Sequence, residues 1–405
     1  MSLERDLEEA AGLARAAALP LWSPASGGNV SVNQASIVDD NTERTGLVVE
    51  GNAYNVDAIL QVNALSNHWS IDVGGKSTTL DLSTGGDSTN NDATFTQHSV
   101  SSNVTAQFSP SSNVHVTTIN GDFLDIKGVF QTNYLSNNDV VVQGATSTYN
   151  EVDSGQNGQF NALPLSEFNG HYDLIIVEGD YHTWNVVEQT NVLLNNNADV
   201  MDTSRGDTAQ QTVSVGGNTL TNDASIDTYG NTQFQPLTSS VNSGVTGLEN
   251  GSVSQEIASL LAGNGGQNIN VLVVTGNFYD LNFISQTNVV SNVDTVAQYL
   301  PNTGQDTAPT GAPTSSTDTI SSGGNQLANF AGIASVGTTS NFQYVGGQAY
   351  SDAVLVQANL VSQGGQVATN QGGELAAELS ALTGLHDASA VSDATPHDLF
   401  HGVMS

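Results

Sequence analysis

The chain contains no cysteine and very few basic residues, and both absences exclude functions. Without a thiol there are no disulfides, no thiolate metal sites and no cysteine nucleophile. Six Lys and Arg residues stand against forty Asp and Glu residues, which gives a formal net charge of −34. Proteins that bind nucleic acid need clustered positive charge to displace the counterions of the phosphates. The sequence therefore predicts no nucleic-acid partner.

Long apolar runs are also missing from the sequence. No stretch reaches the length of about 18 apolar residues that a membrane-spanning helix requires, so we expect no membrane insertion. The first residues do not combine a basic region, an apolar run and a small-residue cleavage site, so no cleaved signal peptide is predicted. If the protein is exported, we expect its signal to lie elsewhere in the chain. With 38% hydrophobic residues the chain can still bury a core.

What the sequence does contain is repetition. A first box, Gly-x9-Gln-x-Asn-x-(Leu/Val), occurs five times with identical spacing between the glycine and the glutamine. The copies begin at Gly51, Gly121, Gly179, Gly276 and Gly347. Such repeats indicate a stacked or tandem architecture in which each unit shares its core with its neighbours. Nothing in the box is a nucleophile, a base or a metal cage, so the repeat favours a structural element over a catalyst.

A second box, Gly-Gly-Asn-x3-Asn-x-Ala-x-Ile, precedes the first box in each unit. It begins at Gly27, Gly216 and Gly323, with a variant copy at Gly85 and a degenerate copy at Gly155. The glycines that open the two boxes are 24 residues apart in three units, but 36 and 60 residues apart in the units that begin at Gly85 and Gly216. Those two units therefore carry insertions.

The boxes predict strands whose core-facing side carries amides. Residues two apart on a strand share a face, so the repeated Gln and Asn alternate with aliphatic residues on the core side. A buried amide without partners is costly. Like amides in stacked strands, about 4.8 Å apart, can satisfy one another as a hydrogen-bonded ladder. The predicted ladder residues are Gln61, Asn63, Gln131, Asn133, Gln189, Asn191, Gln286, Asn288, Gln357, Asn359, Asn33, Asn222 and Asn329. We expect the repeated glycines to supply corners with positive φ.

These patterns predict an all-β repeat chain. We expect a parallel β-solenoid or β-helix with short terminal helices, at 3–18 and 373–385, and tandem β-sandwiches are the alternative. The expected organisation is an N-terminal helical segment at 1–25, a five-unit β region at 26–371, and a C-terminal helix with a secretion-signal tail at 372–405. Within the β region we expect insertions near 236–267, including a short helix at 252–262, and a flexible linker at 301–322.

Few sequence features resemble catalytic or binding sites. The sequence GGKST at 74–78 lacks a glycine that a phosphate loop requires, so we interpret it as a turn. His397 and His401 have the spacing of zinc ligands, but no third ligand is obvious and they lie in the tail. Carboxylate pairs such as Asp39 with Asp40, and Asp280 with Asp294, leave calcium binding at acidic turns open.

A glycan-cleaving enzyme is the main catalytic alternative. A groove for glycans would need acidic and aromatic residues to meet, for example Asp180, Tyr181, Trp184 and Asp199. A β-helix lyase would also need Lys or Arg as a base and as a partner for the substrate carboxylate. Because the basic residues are few and scattered, we expect no enzyme.

Two segments carry a family resemblance. VLVVTGNFYDLNFISQTNVVSNVDTV at 271–296 and GGQAYSDAVLVQANLVS at 346–362 resemble alphaproteobacterial repeat proteins, rhizobial ones included, that are identified as type I secretion substrates. The resemblance implies export by an ABC transporter complex, guided by an uncleaved C-terminal signal such as the tail at 392–405. The chain departs from the best-known substrates because it lacks their calcium-binding nonapeptides.

The combined hypothesis is a secreted structural protein of the cell surface or extracellular matrix. We expect it to self-assemble as a homo-oligomer or filament, as a surface-layer component, or as an adhesin or biofilm component, and to use type I secretion machinery. One alternative is a β-helix carbohydrate-active enzyme or phage-type spike, which would contact glycans. The second alternative is a calcium-dependent binding module. No catalytic, cofactor-binding or metal-binding residues are assigned.

Overall fold

Parallel β-strands dominate the described part of the chain. A computed structural model describes residues 29–39, 44–75, 79–83, 87–98, 112–144, 149–153, 157–167, 172–203, 209–214, 217–230, 233–260, 268–300, 316–321 and 324–364. Across these ranges the chain forms four sheets and two helices, and neighbouring strands in every sheet run parallel. The predicted all-β class is confirmed.

Two large sheets face each other and carry the repeated boxes. The first sheet contains the second box, on strands β1 (Val30–Asp39), β5 (Ser88–His98), β9 (Gly158–Glu167), β13 (Thr219–Tyr229) and β18 (Gln326–Val336). The third sheet contains the first box, on strands β3 (Ala53–Gly75), β7 (Phe123–Gly144), β11 (Tyr181–Thr203), β16 (Phe278–Leu300) and β20 (Ala349–Gly364). Each repeat box is therefore one strand, as the period-2 alternation of core residues predicts.

Two further sheets connect the facing pair. The second sheet is built from short aliphatic runs, on β2 (Arg44–Val49), β6 (Asn113–Ile119), β10 (Tyr172–Val177), β14 (Gln235–Pro236), β15 (Asn268–Val274) and β19 (Thr338–Val345). The fourth sheet contains β4 (Thr79–Ser83), β8 (Tyr149–Asp153), β12 (Ala209–Ser214) and β17 (Ser316–Ser321). The predicted linker at 301–322 is therefore wrong in its last part, because β17 belongs to a sheet. Residues 301–315 lie outside the described residues.

The order of strands in the stack is not their order in the chain. The first sheet runs β5-β13-β18-β1-β9, and the third runs β20-β3-β11-β16-β7. A solenoid wound in sequence order would place consecutive units side by side, whereas β1 pairs with β18 and β9. Tandem sandwiches would pair strands within a unit, whereas the ladders among the described strands join strands of different units. The repeats share one register but interleave.

The insertions coincide with a change in the direction of the interleaving. In the three units without insertions, the third-sheet strand lies closer to the β20 end of the stack than the first-sheet strand that precedes it. In the two units with insertions, at 99–112 and 237–267, the third-sheet strand lies toward the β7 end instead. The insertions thus mark the two units in which the chain runs through the stack in the opposite direction.

The glycines of the first box allow the backbones of adjacent rungs to approach closely, and most of them do not adopt a positive φ. Among them only Gly121 has a positive φ, of 101°. The prediction of positive-φ corners is therefore wrong for the other copies. A Cβ at Gly179 would lie 2.6 Å from the backbone of Gly276 in the next rung, so a side chain there would force the rungs apart. The prediction is right for the two glycines of the second box that the structure describes, because Gly217 and Gly324 have φ values of 84° and 78°.

Two helices in the longest insertion cover the outer face of the second sheet. They are α1 (Ser239–Glu249), whose N-cap Thr238 accepts a hydrogen bond from the Val241 N–H, and α2 (Gln255–Leu260). The predicted helix at 252–262 corresponds to α2, and α1 was not predicted. Apolar residues of both helices pack on the second sheet, among them Val245, Leu248 and Ile257. The helices predicted at 3–18 and 373–385 lie outside the described residues.

The two facing sheets are offset by half a rung. Inside the stack, each third-sheet strand lies against two first-sheet strands, as β11 lies against β13 and β18. At one end β20 lies chiefly against β5, and at the other end β9 lies chiefly against β7. The third sheet therefore protrudes at the β20 end, and the first sheet protrudes at the β7/β9 end. No described helix is long and apolar enough to cross a membrane.

Candidate functional site

The repeated glutamines lie in one continuous ladder through the core. Each side-chain amide donates from Nε2 to the Oε1 of the next rung. The donor–acceptor distances are 2.8 Å from Gln357 to Gln61, 2.9 Å from Gln61 to Gln189, 3.0 Å from Gln189 to Gln286 and 2.9 Å from Gln286 to Gln131. The second N–H of each inner amide reaches a backbone carbonyl of the facing sheet, as from Gln286 to Phe330 at 2.9 Å. The ladder therefore joins both the rungs and the two sheets.

The asparagines form two ladders that bond to each other across the core. In the third sheet Asn133 donates to Asn288, Asn288 to Asn191, Asn191 to Asn63 and Asn63 to Asn359, at 2.9–3.1 Å. In the first sheet Asn161 donates to Asn33, Asn33 to Asn329, Asn329 to Asn222 and Asn222 to Asn91, at 2.9–3.0 Å. Because the sheets are offset by half a rung, each inner asparagine also contacts asparagines of the opposite ladder, as Asn288 does with Asn329 at 2.9 Å.

Burial of these amides is complete inside the stack. Gln61, Gln189, Gln286 and the inner asparagines have no solvent-exposed surface, whereas Gln357 and Asn359 on the end strand β20 are exposed. A buried amide contributes favourably only when its donors and acceptors are all satisfied, and here each ladder residue satisfies the next. All the amides named from the sequence lie in these ladders, together with Asn91 and Asn161 of the variant and degenerate second boxes, which were not among the predicted ladder residues.

A stack of aromatic rings runs along the third sheet. Tyr350, Tyr54, His182 and Tyr279 occupy the same register position, with ring centroids 4.8–5.1 Å apart and planes within 7° of parallel. Their common position is the third residue after the box glycine, which is aromatic in four of the five copies. That regularity was the available sequence signal. In the fifth copy, on the end strand β7, the position is Leu124, which is exposed.

A buried lysine lies among carboxylates where β1, β7 and β16 meet. Lys127 is 3% exposed, and its Nζ lies 3.0 Å from Oδ1 of Asp39 and donates to Oδ1 of Asp125 at 2.6 Å. Asp280 is also buried and hydrogen-bonds to Asp39. The Asn282 amide donates to Oδ2 of Asp39 at 2.9 Å. We name Lys127, Asp39, Asp125 and Asp280 the Lys127 cluster.

The electrostatics of the Lys127 cluster follow from burial and like charge. Burial, and then the charge of Asp39, raise the pKa of Asp280 well above its ordinary value, which favours its protonated form. Burial alone would lower the pKa of Lys127, but the neighbouring charges of Asp39, Asp280 and Asp125 outweigh it and raise that pKa. The carboxylate oxygens lie within 4.8 Å of one another, a spacing that suits a cation, but the ammonium of Lys127 already supplies positive charge there.

The sequence contained a signal for the cluster. Lys127 is the sixth residue after its box glycine, a position with the same parity as the core-facing amides, where the other copies have Asp57, Asn185, Asn282 and Ala353. A lysine at a core-facing position requires a buried partner. The sequence could not name that partner, because the neighbouring rungs come from different units.

The other candidate residues are not brought together. Tyr181 packs in the apolar core against Phe278, and the carboxylate of Asp180 accepts hydrogen bonds from the backbone and side chain of Asn52. Trp184 lies on the opposite strand face from Tyr181, and the side chain of Asp199 is outside the described set, as is that of Asp40. Asp294 is buried and accepts from Asn292 at 2.8 Å, away from the Lys127 cluster. His397, His401 and the end of GGKST lie outside the described residues.

No family model, no curated protein and no solved structure matches this chain.

Proposed function

We propose that this protein is a secreted structural element of the cell surface or extracellular matrix, and that copies stack end to end into a filament. Type I secretion remains part of the proposal and rests on the sequence resemblance. The absence of cysteine and the acidic, lysine-poor composition are consistent with an exported structural protein. The proposed architecture is an interleaved form of the parallel β-solenoid, with the amide ladders as its axis.

The observation that carries the assembly proposal is the complementarity of the two ends. At the β20 end, the core face of the third sheet extends beyond the first sheet, so Leu355 and Val361 are 47% and 51% exposed although their registered counterparts inside the stack are buried. At the other end, β9 extends beyond β7, and its core-facing Leu163 is 47% exposed. The strand that protrudes at one end of a copy therefore fits the recess at the opposite end of the next copy.

Docking the β20 end of one copy on the β7/β9 end of the next would continue the strand order of the first and third sheets, whereas in the second sheet β14 already pairs with β19 at the β20 end. Strand β20 would pair with β7, its core face would cover β9, and the Gln and Asn ladders would pass from copy to copy. Unpaired strand edges favour such additions. The contact is heterologous, which generates open filaments when the operation does not close. A net charge of −34 opposes association, so salt or divalent cations should favour it.

The test uses the full chain with one end blocked at a time. Leu355→Lys places a charge on the β20 end, and Leu163→Lys places one on the β9 end. Val293→Lys is the matched control, because Val293 is also an exposed aliphatic residue but lies on β16, an inner strand of the third sheet. Assembly is followed by sedimentation velocity and electron microscopy at high salt.

We expect wild type and Val293→Lys to form filaments and each end variant alone to stay monomeric. An equimolar mixture of the two end variants should give a heterodimer, because each has one intact end of opposite type. Wild-type protein that stays monomeric at high concentration, with salt and calcium, would overturn the assembly proposal. Homodimers of a single end variant would show that like ends associate and would overturn the head-to-tail arrangement.

A further inference from the structure

We propose that Lys127 and Asp39 form an intramolecular isopeptide bond, with Asp280 as the acid that promotes it and Asp125 as the proton acceptor. This inference is independent of the assembly proposal. It rests on the geometry of the Lys127 cluster, which places an amine and a carboxyl group of different strands in direct contact in the protein interior.

The amine and the carboxyl group are held in contact. Lys127 Nζ lies 3.0 Å from Oδ1 of Asp39, an oxygen on the carbon that the amine would attack, and both side chains are buried. Groups held together in one orientation gain a large effective concentration over the same groups in water. The carboxyl group of Asp39 is also polarised, because Asn282 donates to its Oδ2 at 2.9 Å and Asp280 hydrogen-bonds to it. Hydrogen bonds to the oxygens stabilise the charge that develops when a nucleophile attacks the carbon.

The carboxyl groups of Asp125 and Asp280 act as the base and the acid of the reaction. Asp125 accepts a hydrogen bond from Lys127 Nζ at 2.6 Å, so it can take a proton from the ammonium. The neutral amine that results is the nucleophile. Burial and the charge of Asp39 raise the pKa of Asp280, which favours the protonated carboxyl group that can donate to an oxygen of Asp39. The two groups thus supply the base and the acid that an uncatalysed condensation of ammonium and carboxylate lacks.

The reaction balances without a co-reactant. A bond forms between Nζ of Lys127 and Cγ of Asp39, and one C–O bond of Asp39 breaks. The ammonium loses two protons, which reach the departing oxygen by way of Asp125 and Asp280, and one water molecule leaves. Asp125 ends ionised and Asp280 ends protonated, as they began. A buried ammonium and a buried carboxylate are replaced by one neutral amide, which removes the desolvation cost of the ion pair.

The position of the bond gives it a structural consequence. Lys127 is on β7, the end strand of the third sheet, and Asp39 is the last residue of β1 in the facing sheet. The amide would tie an edge strand, which has a neighbour on one side only among the described strands, to the body of the stack. Disulfides do this in many extracellular proteins, but this chain has no cysteine.

Intact-mass spectrometry of the purified full chain tests the inference directly. We expect a mass lower than that of the sequence by one water, about 18 Da. Trypsin cleaves after Lys and Arg, so Asp39 lies in the peptide 16–44, and a blocked Lys127 leaves an uncut peptide 77–205. These two peptides should be found joined. Lys127→Arg keeps the positive charge but cannot form the amide, and its full mass and separate peptides are the matched control.

Three outcomes decide the matter. A wild-type chain of full mass, with cleavage after Lys127, overturns the proposal and leaves the cluster as an ion-pair network. Loss of water with the link confined to peptide 77–205 would place the amide on Asp125 and overturn the assignment to Asp39. Complete linkage in Asp280→Asn, with the circular dichroism of the wild type, would overturn the role of Asp280. The expected result for that variant is a wild-type spectrum with most of the chain at full mass.

Discussion

The amide ladders predict a difference in stability between two chemically identical substitutions. Asn288 and Asn359 occupy the same register position of the third sheet, but Asn288 is fully buried in the middle of the stack and Asn359 lies exposed on the end strand. Replacing either by Leu approximately conserves the branched shape of the side chain and removes the amide. We expect Asn288→Leu to destabilise the fold strongly and Asn359→Leu weakly.

The magnitude follows from the partners each amide leaves behind. The Asn288 oxygen accepts from Ser31 Oγ at 2.8 Å and from Asn33 and Asn133 at 3.0 Å. Asn33 and Asn133 also donate to backbone carbonyls, but Asn288 is the acceptor recorded for the buried Ser31 hydroxyl. An orphaned buried group costs about 1–3 kcal/mol, and each weakened neighbour about 0.5–1 kcal/mol, so we expect a loss of about 2–4 kcal/mol.

At the end of the ladder the same substitution leaves fewer hydrogen-bonding groups without a partner. Asn359 accepts from Asn63 and Asn91, both of which also donate to backbone carbonyls and retain those bonds. Because water can replace the lost acceptor at this exposed position, we expect less than about 1 kcal/mol.

Urea denaturation followed by circular dichroism measures both values, at a protein concentration and ionic strength where the chain is monomeric. The m-values should agree with that of the wild type, so that midpoints report stability. Equal losses for the two variants, or a loss below about 0.5 kcal/mol for Asn288→Leu, would refute the reasoning, because a ladder amide in the core would then be no more valuable than one in water.

Two further predictions concern the spacing of the rungs and the buried acid. Gly179→Ala should cost about 1–3 kcal/mol in urea denaturation, because its Cβ would lie 2.6 Å from the backbone of the next rung; an unchanged midpoint would contradict the close approach. Because the pKa of Asp280 is raised above 3.8, the folded state holds an extra proton, so its contribution to stability is present at low pH and is lost as the pH rises from about 3.8 through the folded pKa. Melting temperatures between pH 4 and pH 8 should therefore fall less steeply in Asp280→Asn than in wild type, and parallel profiles would exclude this assignment.

The strand positions and the amide contacts could be predicted because both depend on local pattern. The alternation of Gln, Asn and aliphatic residues fixes which face of a strand is buried, and a buried primary amide requires partners of its own kind or the backbone. Gln189, for example, meets Gln61 and Gln286 because all three share one offset from their box glycine. Register is a property of the box itself, so the sequence determines it.

The order of the rungs could not be predicted, because the boxes are nearly interchangeable. The sequence predicts that Gln189 will pair with another repeated glutamine, but not which one. The Lys127 cluster was missed for the same reason, since Asp39, Lys127 and Asp280 come from the first, second and fourth units of the chain, which become neighbours only in the stack. Helix α1 was missed because its Ser, Thr, Val and Gly residues have poor helix propensity, and packing of Val245 and Leu248 on the second sheet overrides it.

Because the boxes are interchangeable, an end strand could be lost or replaced, and the two ends of the stack differ in what holds that strand. If any rung can accept any other, an end strand can separate from its neighbour, or accept a strand of another copy, at similar cost. At the β7 end the core-facing position holds Lys127, buried against Asp39 of the facing sheet. At the β20 end the same register position is Ala353, which is exposed and makes no such contact. Besides its strand pairing, one end strand is therefore held by a charged or covalent link to the facing sheet, and the other end strand has no such link at the same register position. A stack with one fixed end and one open end has a direction, and that asymmetry favours head-to-tail addition over the pairing of like ends.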